Sequence, residues 1–184
     1  MARHELTGVL LVGGASRRFG SPKALARFEG ETLAERGWRV LTDVCHECIA
    51  VGKARDGVRL PFPILDDGSV VRAPLAGVVA GLRAAANDVC VFLPVDCPLV
   101  TGDGLRRLAG WAADAAVPQT GPLPGAYRRV ALPTLEQSLL RGEYSLREAL
   151  SSLDVTVVEL DAHELANVNT REDLRALARF TPGR

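Results

Sequence analysis

The sequence has neither a surplus of charge of one sign nor a long hydrophobic run. Its 184 residues include 22 Lys and Arg and 22 Asp and Glu, so the formal net charge at pH 7 is zero. Proteins that wrap duplex DNA usually carry a basic surplus, and a membrane-spanning helix needs about 18 consecutive apolar residues. We therefore expect no nucleic-acid partner and no membrane partner.

The sequence also lacks the apolar core of a secretory signal peptide. Its first apolar stretch covers only residues 9–12, which is too short for such a core. Apolar residues make up 47% of the chain and charged residues 24%, fractions that are typical of globular proteins. We expect a cytoplasmic protein that folds as a single domain over residues 1–184.

Cysteine is scarce, with four residues in the whole chain. Cys45 and Cys48 have the C-x-x-C spacing of many zinc and redox sites. Cys90 and Cys97 do not form the second close pair that a zinc knuckle needs. We interpret all four as reduced thiols, with a metal or redox role for the first pair as the alternative.

Short apolar runs alternate with amphipathic segments along the chain. Residues 6–12 and 89–93 are the clearest buried strands, Pro74 suits the first turn of a helix, and Thr101 and Thr170 suit helix N-caps. Further strands are predicted over residues 48–51, 61–65, 115–117, 126–130 and 155–160. Helices are predicted over residues 32–44, 74–86, 101–113, 133–140, 145–153 and 170–180. This alternation predicts an α/β fold with a doubly wound, mainly parallel sheet and helices on both faces.

A loop rich in glycine and basic residues follows the first predicted strand. Gly13 and Gly14 allow backbone N–H groups to approach a ligand closely, and Arg17, Arg18 and Lys23 supply positive charge that suits a polyphosphate. The spacing matches neither the G-x-x-x-x-G-K-[ST] nor the G-x-G-x-x-G nucleotide motif. The loop therefore indicates either a triphosphate site or a solvent-exposed turn.

Acidic residues follow two other predicted strands. Asp66 and Asp67 end the third strand, and Asp96 follows the strand over residues 89–93. Ligands of doubly wound sheets bind beyond the carboxyl ends of the strands, and Mg²⁺ is commonly held there by one or two carboxylates with phosphates and water. Asp96 is the predicted metal ligand, with a turn-forming role before Pro98 as the alternative. Asp66 is equally compatible with a simple turn.

These segments resemble the molybdenum cofactor guanylyltransferase (molybdopterin-guanine dinucleotide synthase) family of nucleotidyltransferases. The matching motifs lie in the expected order along nearly the whole chain. They are Leu11 with Gly13-Gly14, Ser16, Arg18, Gly20 and Lys23-Ala-Leu25; Asp67; Pro74-Leu-Ala-Gly77; Asp96-Cys-Pro98; Pro122-Leu123 with Tyr127-Arg-Arg129; Gly142-Glu143 with Ser145-Leu-Arg147; and Asn167-Val-Asn-Thr170. The resemblance implies a Rossmann-like nucleotidyltransferase fold.

The resemblance also implies the reaction. GMP would be transferred from GTP to the phosphate of molybdopterin with release of pyrophosphate, and Mg²⁺ would be the cofactor. Transient contacts with other cofactor-biosynthesis proteins or apo-molybdoenzymes would be expected. The alternatives are a CTP-dependent molybdopterin cytidylyltransferase, another nucleotidyltransferase with a sugar-phosphate-type acceptor, and a non-catalytic nucleotide-binding protein.

Site residues follow from the same motifs. A phosphate nucleophile is already ionised at pH 7, so we expect charge stabilisation rather than a general base, and none of His4, His46 and His163 lies in a catalytic motif. The predicted catalytic residues are Arg18, Lys23 and Asp96. The predicted GTP-binding residues are Leu11, Val12, Gly13, Gly14, Arg18, Lys23, Asp67 and Asp96. The predicted molybdopterin-binding residues are Tyr127, Arg128, Asn167 and Asn169, for which strand and turn roles are the alternatives.

The sequence departs from the family pattern at three positions. Pro22 stands where an Asp often precedes the loop lysine, Phe19 where Met is usual, and Ala73 where Gly usually precedes the Pro-Leu-Ala-Gly segment. All three changes leave the charged residues predicted for the phosphate and metal site, Arg18, Lys23 and Asp96, in place.

Overall fold

The computed structural model of the protein describes residues 4–13, 19 and 22–180. The strands of this part are, in chain order, β1 (His4–Leu11), β2 (Arg27–Phe28), β3 (Glu31–Thr32), β4 (Cys45–Gly52), β5 (Ile64–Asp66), β6 (Val89–Pro94), β7 (Ala115–Pro118), β8 (Gly125–Arg128) and β9 (Val155–Val158). The α-helices are α1 (Leu33–Val44), α2 (Pro74–Ala84), α3 (Gly102–Gly110), α4 (Leu132–Leu140), α5 (Leu146–Ala149) and α6 (Arg171–Phe180). Within the described ranges, no helix is long and apolar enough to cross a membrane.

Seven of the strands form one sheet in the order β5-β4-β1-β6-β8-β7-β9. Neighbouring strands are parallel except where β8 pairs with β6 and with β7, because β8 runs in the opposite direction. The predicted mainly parallel α/β sheet is confirmed. The short β2–β3 hairpin, which forms a separate sheet, was not predicted.

Strand β1 lies near the middle of the sheet and is covered on both faces. Leu10 belongs to the core on the α1 face, whereas Val9 and Leu11 belong to the core on the α2 face. Both helices approach the sheet through glycine: a Cβ on Gly37 of α1 would lie 2.6 Å from Leu10 Cδ1, and one on Gly81 of α2 would lie 2.7 Å from Phe92 Cε1. Glycine lowers intrinsic helix propensity, but at these two positions it allows the helix to pack closely on the sheet.

Side-chain caps set where several helices begin. Thr32 and Glu35 form a capping box at the start of α1, in which the Glu35 N–H donates to Thr32 Oγ1 at 3.1 Å and the Thr32 N–H donates to the Glu35 carboxylate at 2.8 Å. Thr101 and Thr170 cap α3 and α6, as predicted. The predicted ends are less accurate, since α2 stops at Ala84, α3 stops at Gly110, and a 3₁₀ turn over Leu150–Ser152 follows α5.

The C-x-x-C pair lies on extended backbone at the start of β4. Three strand steps separate the Cα atoms of Cys45 and Cys48 by about 10 Å, which exceeds the roughly 7 Å limit for a disulfide. All four cysteines are free thiols. Burial raises the pKa of Cys45 and of Cys90 to about 12, so both stay protonated at neutral pH. The redox alternative for this pair is therefore wrong for this geometry.

Candidate active site

A cavity of about 620 Å³ opens at the carboxyl edge of the sheet. It extends past the ends of β5, β4, β1 and β6 to the loop that follows β7. We call one end the α2 side (Lys53, Asp67, Arg72, Ala73 and Pro74) and the other end the α5 side (residues 120–123, Leu146 and Arg147). Asp96, Cys97 and Asn167 line the cavity between them. Its volume is in the range of small-molecule sites.

Asp96 lies at the end of β6 and meets Lys23, which is distant in sequence. Lys23 begins a 3₁₀ turn (Lys23–Leu25) after Pro22, and its Nζ donates to Asp96 Oδ2 at 3.2 Å and to Asn169 Oδ1 at 3.4 Å. The main-chain oxygen of Asp96 accepts the Val168 N–H at 2.8 Å. The structure thus brings together three of the predicted site residues, Lys23, Asp96 and Asn169.

The Asp96 carboxylate suits a hard divalent cation. Its side chain is 32% exposed and faces the cavity. Within the described ranges, no group of three His, Cys, Asp or Glu side chains could hold a metal ion. The protein therefore offers one carboxylate at this position, and further oxygen ligands would have to come from a bound phosphate group and from water. Such a ligand set is ordinary for Mg²⁺, so the residues present fit the predicted ion.

Asp67 lies on the α2 side in a buried ion pair that sequence reasoning missed. Lys53 Nζ donates to Asp67 Oδ1 at 2.7 Å, to Asp67 Oδ2 at 2.8 Å and to the main-chain oxygen of Ser69 at 2.7 Å. Lys53 directly follows β4 at the carboxyl edge of the sheet. This position is the only feature of the sequence that could have indicated a site residue here. Asp67 lines the cavity and accepts from Lys53 with both of its oxygens, and its predicted contact with GTP stays a prediction.

Asp66 has the turn-forming role that the sequence left open. Its carboxylate accepts the main-chain N–H groups of Ala54 and of Gly68, the latter at 2.7 Å. These hydrogen bonds lower the pKa of Asp66 below its ordinary value. Asp66 therefore ties the end of β5 to the residues that follow β4, and this places Asp67 in the cavity wall.

The α5 side carries positive charge without a matching carboxylate. Arg147 Nη2 donates to the main-chain oxygen of Thr120 at 3.4 Å. In the part of the chain that the structure describes, no carboxylate lies within ion-pair distance of the Arg147 guanidinium. Asn167 lies in the middle of the cavity wall, next to this side, and its Oδ1 accepts the Cys97 thiol at a separation of 2.9 Å. This side presents hydrogen-bond donors, which suit an anionic ligand.

Tyr127 and Arg128 do not lie where we predicted. Tyr127 is fully buried, donates its hydroxyl to the main-chain oxygen of Pro122 at 2.6 Å, and packs edge-to-face on Phe92. Burial also raises the pKa of Tyr127 above its ordinary value. It supports the loop that lines the α5 side, and it cannot stack on a ligand.

Arg128 lies at the opposite edge of the sheet. Because β8 is antiparallel to β6, Arg128 pairs with Val89 at the start of β6, about 16 Å from the cavity edge. Its guanidinium forms an ion pair with Asp88 at 2.6 Å. The molybdopterin-binding roles predicted for Tyr127 and Arg128 are therefore wrong. The sequence pattern showed a strand here but not its direction.

The first loop is described only in part. Leu11 and Gly13 line the cavity, and their contacts with GTP stay predictions. The Val12 side chain instead packs in the core on the α1 face, and its N–H donates to the Val51 oxygen at 2.9 Å, so the predicted contact of its side chain with the base is wrong. Gly14 and Arg18 lie outside the described residues, and their roles stay predictions.

Comparisons with known proteins agree on one family. The sequence model of the family described as "MobA-like NTP transferase domain" matches residues 8–157. A relative from Bacillus licheniformis, named "Probable molybdenum cofactor guanylyltransferase", is 32% identical over 95% of this chain and 97% of its own. A relative of the same name from Bacillus cytotoxicus is 30% identical over 94% of this chain and 96% of its own.

Solved structures show the same fold. The molybdopterin-guanine dinucleotide biosynthesis protein A from Archaeoglobus fulgidus has a TM-score of 0.81 at 24% identity, over 94% of this chain and 97% of that one. The 2-C-methyl-D-erythritol 4-phosphate cytidylyltransferase from Thermus thermophilus has a TM-score of 0.74 at 20% identity, over 93% and 96%.

Proposed function

The chain belongs to the family of MobA-like NTP transferase domains, and from this membership we propose that it transfers GMP from GTP to the phosphate of molybdopterin. The observation that carries the proposal is the meeting of Lys23 and Asp96 at 3.2 Å beside a cavity that extends to both sides of Asp96. A cation and a metal-binding carboxylate at the middle of a long cavity suit a transfer between two ligands that bind at its two ends.

The chemistry of the two sides supports one orientation of the substrates. Guanine presents N1–H and amino donors and therefore needs acceptors. Of the roughly four acceptor positions of a carboxylate, Lys53 and Ser69 use three on Asp67, which leaves one on the α2 side for a ligand. No carboxylate is among the described residues that line the α5 side, where Arg147 presents donors instead, and Asn167 in the middle of the cavity adds an amide. We therefore place the nucleoside on the α2 side and the phosphorylated acceptor on the α5 side.

The reaction needs positioning and charge stabilisation. An oxygen of the acceptor phosphate forms a bond to the α-phosphorus of GTP, the bond from that phosphorus to the bridging oxygen breaks, and pyrophosphate leaves with that oxygen. Lys23 would neutralise negative charge on the phosphates, and Asp96 would hold the divalent cation, for which we propose Mg²⁺. When bound, the cation supplies charge neutralisation at the phosphates. No side chain has to remove a proton, because the attacking phosphate is already ionised.

The experiment that tests the proposal measures pyrophosphate release. The protein is incubated with molybdopterin, Mg²⁺ and each nucleoside triphosphate in turn, with the Asp96→Asn variant as the inactive control. We expect turnover with GTP. Turnover with CTP but not with GTP would support the cytidylyltransferase alternative instead, and tight nucleotide binding without any turnover would support a non-catalytic binding protein. The cytoplasmic location and the transient contacts with other cofactor-biosynthesis proteins or apo-molybdoenzymes stay predictions.

A further inference from the structure

The turn that carries Asp96 is bonded to the segment before α6. The Val168 N–H donates to the Asp96 main-chain oxygen at 2.8 Å, and the Cys97 thiol lies 2.9 Å from Asn167 Oδ1. Cys97 is only 4% exposed, whereas Asn167 is exposed to the cavity, so the thiol anchors the amide from the buried side. Asn167 therefore has a fixed position beside the metal-binding carboxylate.

The thiol also determines how the Asn167 amide is oriented. Cys97 Sγ lies 2.9 Å from Asn167 Oδ1 and 3.7 Å from Asp96 Oδ1, so the amide oxygen is the nearer acceptor for its single proton. A side-chain amide with its oxygen engaged in this way turns its two N–H donors to the opposite side. The structure records no acceptor for Asn167 Nδ2 among the described residues, and Asn167 lines the cavity. The N–H donors are thus available to a ligand.

We propose that Cys97 is a positioning residue, whose thiol holds the Asn167 amide with its N–H donors directed at the phosphate of the acceptor. This proposal rests on the proposed function, because it concerns the acceptor's binding site. If the amide rotated by half a turn, Asn167 Oδ1 would face the cavity next to the Asp96 carboxylate. Two acceptors side by side would repel phosphate oxygens, so the orientation fixed by Cys97 decides whether Asn167 attracts the acceptor or repels it.

Cys90 provides a matched control for this role. It is also a buried free thiol, but it lies on β6 near the opposite edge of the sheet, 3.8 Å from the Asn87 main-chain oxygen and away from the cavity. Replacing Cys90 removes a thiol of the same kind without touching the Asp96 turn. Differences between Cys97 and Cys90 variants therefore report the contacts that Cys97 makes at the Asp96 turn rather than the general loss of a core thiol, and the double-mutant cycle with Asn167 separates the contact with Asn167 from the one with Asp96.

The kinetic test uses Cys97→Ala, Cys97→Ser and Cys90→Ala in the full chain. We expect Cys97→Ala to raise the KM for molybdopterin about tenfold, the loss of about one hydrogen bond, and to leave the KM for GTP unchanged. Cys97→Ser keeps a hydroxyl donor and should restore the KM to within about twofold of the wild type, and Cys90→Ala should have no effect. An unchanged KM in Cys97→Ala, or a Cys97→Ser variant that is equally impaired, would overturn the proposal.

A double-mutant cycle shows whether Cys97 acts through Asn167. Adding Cys97→Ala to Asn167→Ala should raise the KM no further, because the amide that the thiol orients is already gone. Additive effects of the two substitutions would show an independent packing role and would contradict the positioning role.

A second readout does not depend on turnover. The side-chain amide signals of Asn167 in a ¹⁵N-labelled protein should shift in Cys97→Ala and stay near their wild-type positions in Cys97→Ser and Cys90→Ala. If the wild type gave no turnover with molybdopterin, the proposed function would fail, but these signals would still test the orientation of the amide. Unchanged Asn167 signals in Cys97→Ala would overturn the inference while leaving the proposed function intact.

Discussion

Two lysine–aspartate pairs flank the same cavity, and they differ mainly in burial. Lys53 and Asp67 lie 2.7 Å apart, with 5% and 8% of their side chains exposed, and main-chain groups of Ser69 complete their hydrogen bonds. Lys23 and Asp96 lie 3.2 Å apart, with 15% and 32% exposed. A buried pair is costly to break, whereas water already weakens a more open pair. The comparison indicates that the Lys53–Asp67 pair holds the cavity wall and that the Lys23–Asp96 pair can exchange its partners for a triphosphate and a cation.

Removing the charge of Asp96 tests the open pair and should have the largest effect. Asp96→Asn keeps the size of the side chain but loses the metal-binding charge, so we expect turnover to fall by at least about a thousandfold. The free energy of unfolding should change by less than about 1 kcal/mol, because the pair is partly exposed. Pyrophosphate release and urea unfolding measure the two quantities. Full activity in this variant would remove Asp96 from the metal site.

Removing Asp67 tests the buried pair. Asp67→Ala leaves the Lys53 ammonium buried without a counter-charge, and we expect it to lower the free energy of unfolding by about 3 kcal/mol. The double variant Lys53→Met/Asp67→Ala removes both charges and should recover much of that loss. Urea unfolding checks both. If Asp67→Ala lowered the free energy of unfolding by less than about 1 kcal/mol, the buried pair would stabilise the fold no more than the open pair does.

Lys23→Ala should act on ligand affinity more than on stability. We expect the loss of one charge-assisted contact to weaken GTP binding by about 1.5–3 kcal/mol, measured by titration calorimetry with Mg²⁺ present. Lys23→Arg retains the charge and is the matched control, in which most of the affinity should remain. If the affinity of Lys23→Ala equalled that of the wild type, the predicted phosphate loop would be only a surface turn.

The smallest predicted effect compares two arginines at opposite edges of the sheet. Arg147→Ala removes the cation of the α5 side and should raise the KM for molybdopterin about tenfold. Arg128→Ala, in contrast, breaks only an exposed pair with Asp88, so it should leave both KM values unchanged and cost at most about 1 kcal/mol of stability. Steady-state kinetics on both variants decide this point. A larger increase of the KM for molybdopterin in Arg128→Ala than in Arg147→Ala would support molybdopterin binding by Arg128, which the structure contradicts.

The parts of the fold that sequence predicted best are those that local chemistry specifies. The apolar runs of β1 and β6, the threonine caps of α3 and α6, and Asp96 at a strand end all follow from neighbouring residues. Strand direction does not, because an apolar run has the same pattern in a parallel and an antiparallel strand. For this reason β8 was recognised as a strand while Tyr127 and Arg128 were misassigned.

Long-range pairing explains the other omission. Lys53 contributes to the cavity wall through its ion pair with Asp67. A single lysine after a predicted strand does not indicate which carboxylate will pair with it. Lys23, Asp96 and Asn169 were each predicted as site residues from separate motifs. The hydrogen bonds that join them were not predicted. The organisation as a single domain over residues 1–184 stays a prediction.

The hydrogen bond from Val168 to Asp96 has a consequence for the smallest fragment that could work as a catalyst. The stretch that matches the family model ends at residue 157, before Val168. A protein trimmed to that stretch would leave the main-chain oxygen of Asp96 without its donor and would discard Asn167 and Asn169 as well. The minimal catalytic unit therefore reaches at least to the first turn of α6. The active site includes residues that lie beyond the stretch that matches the family model.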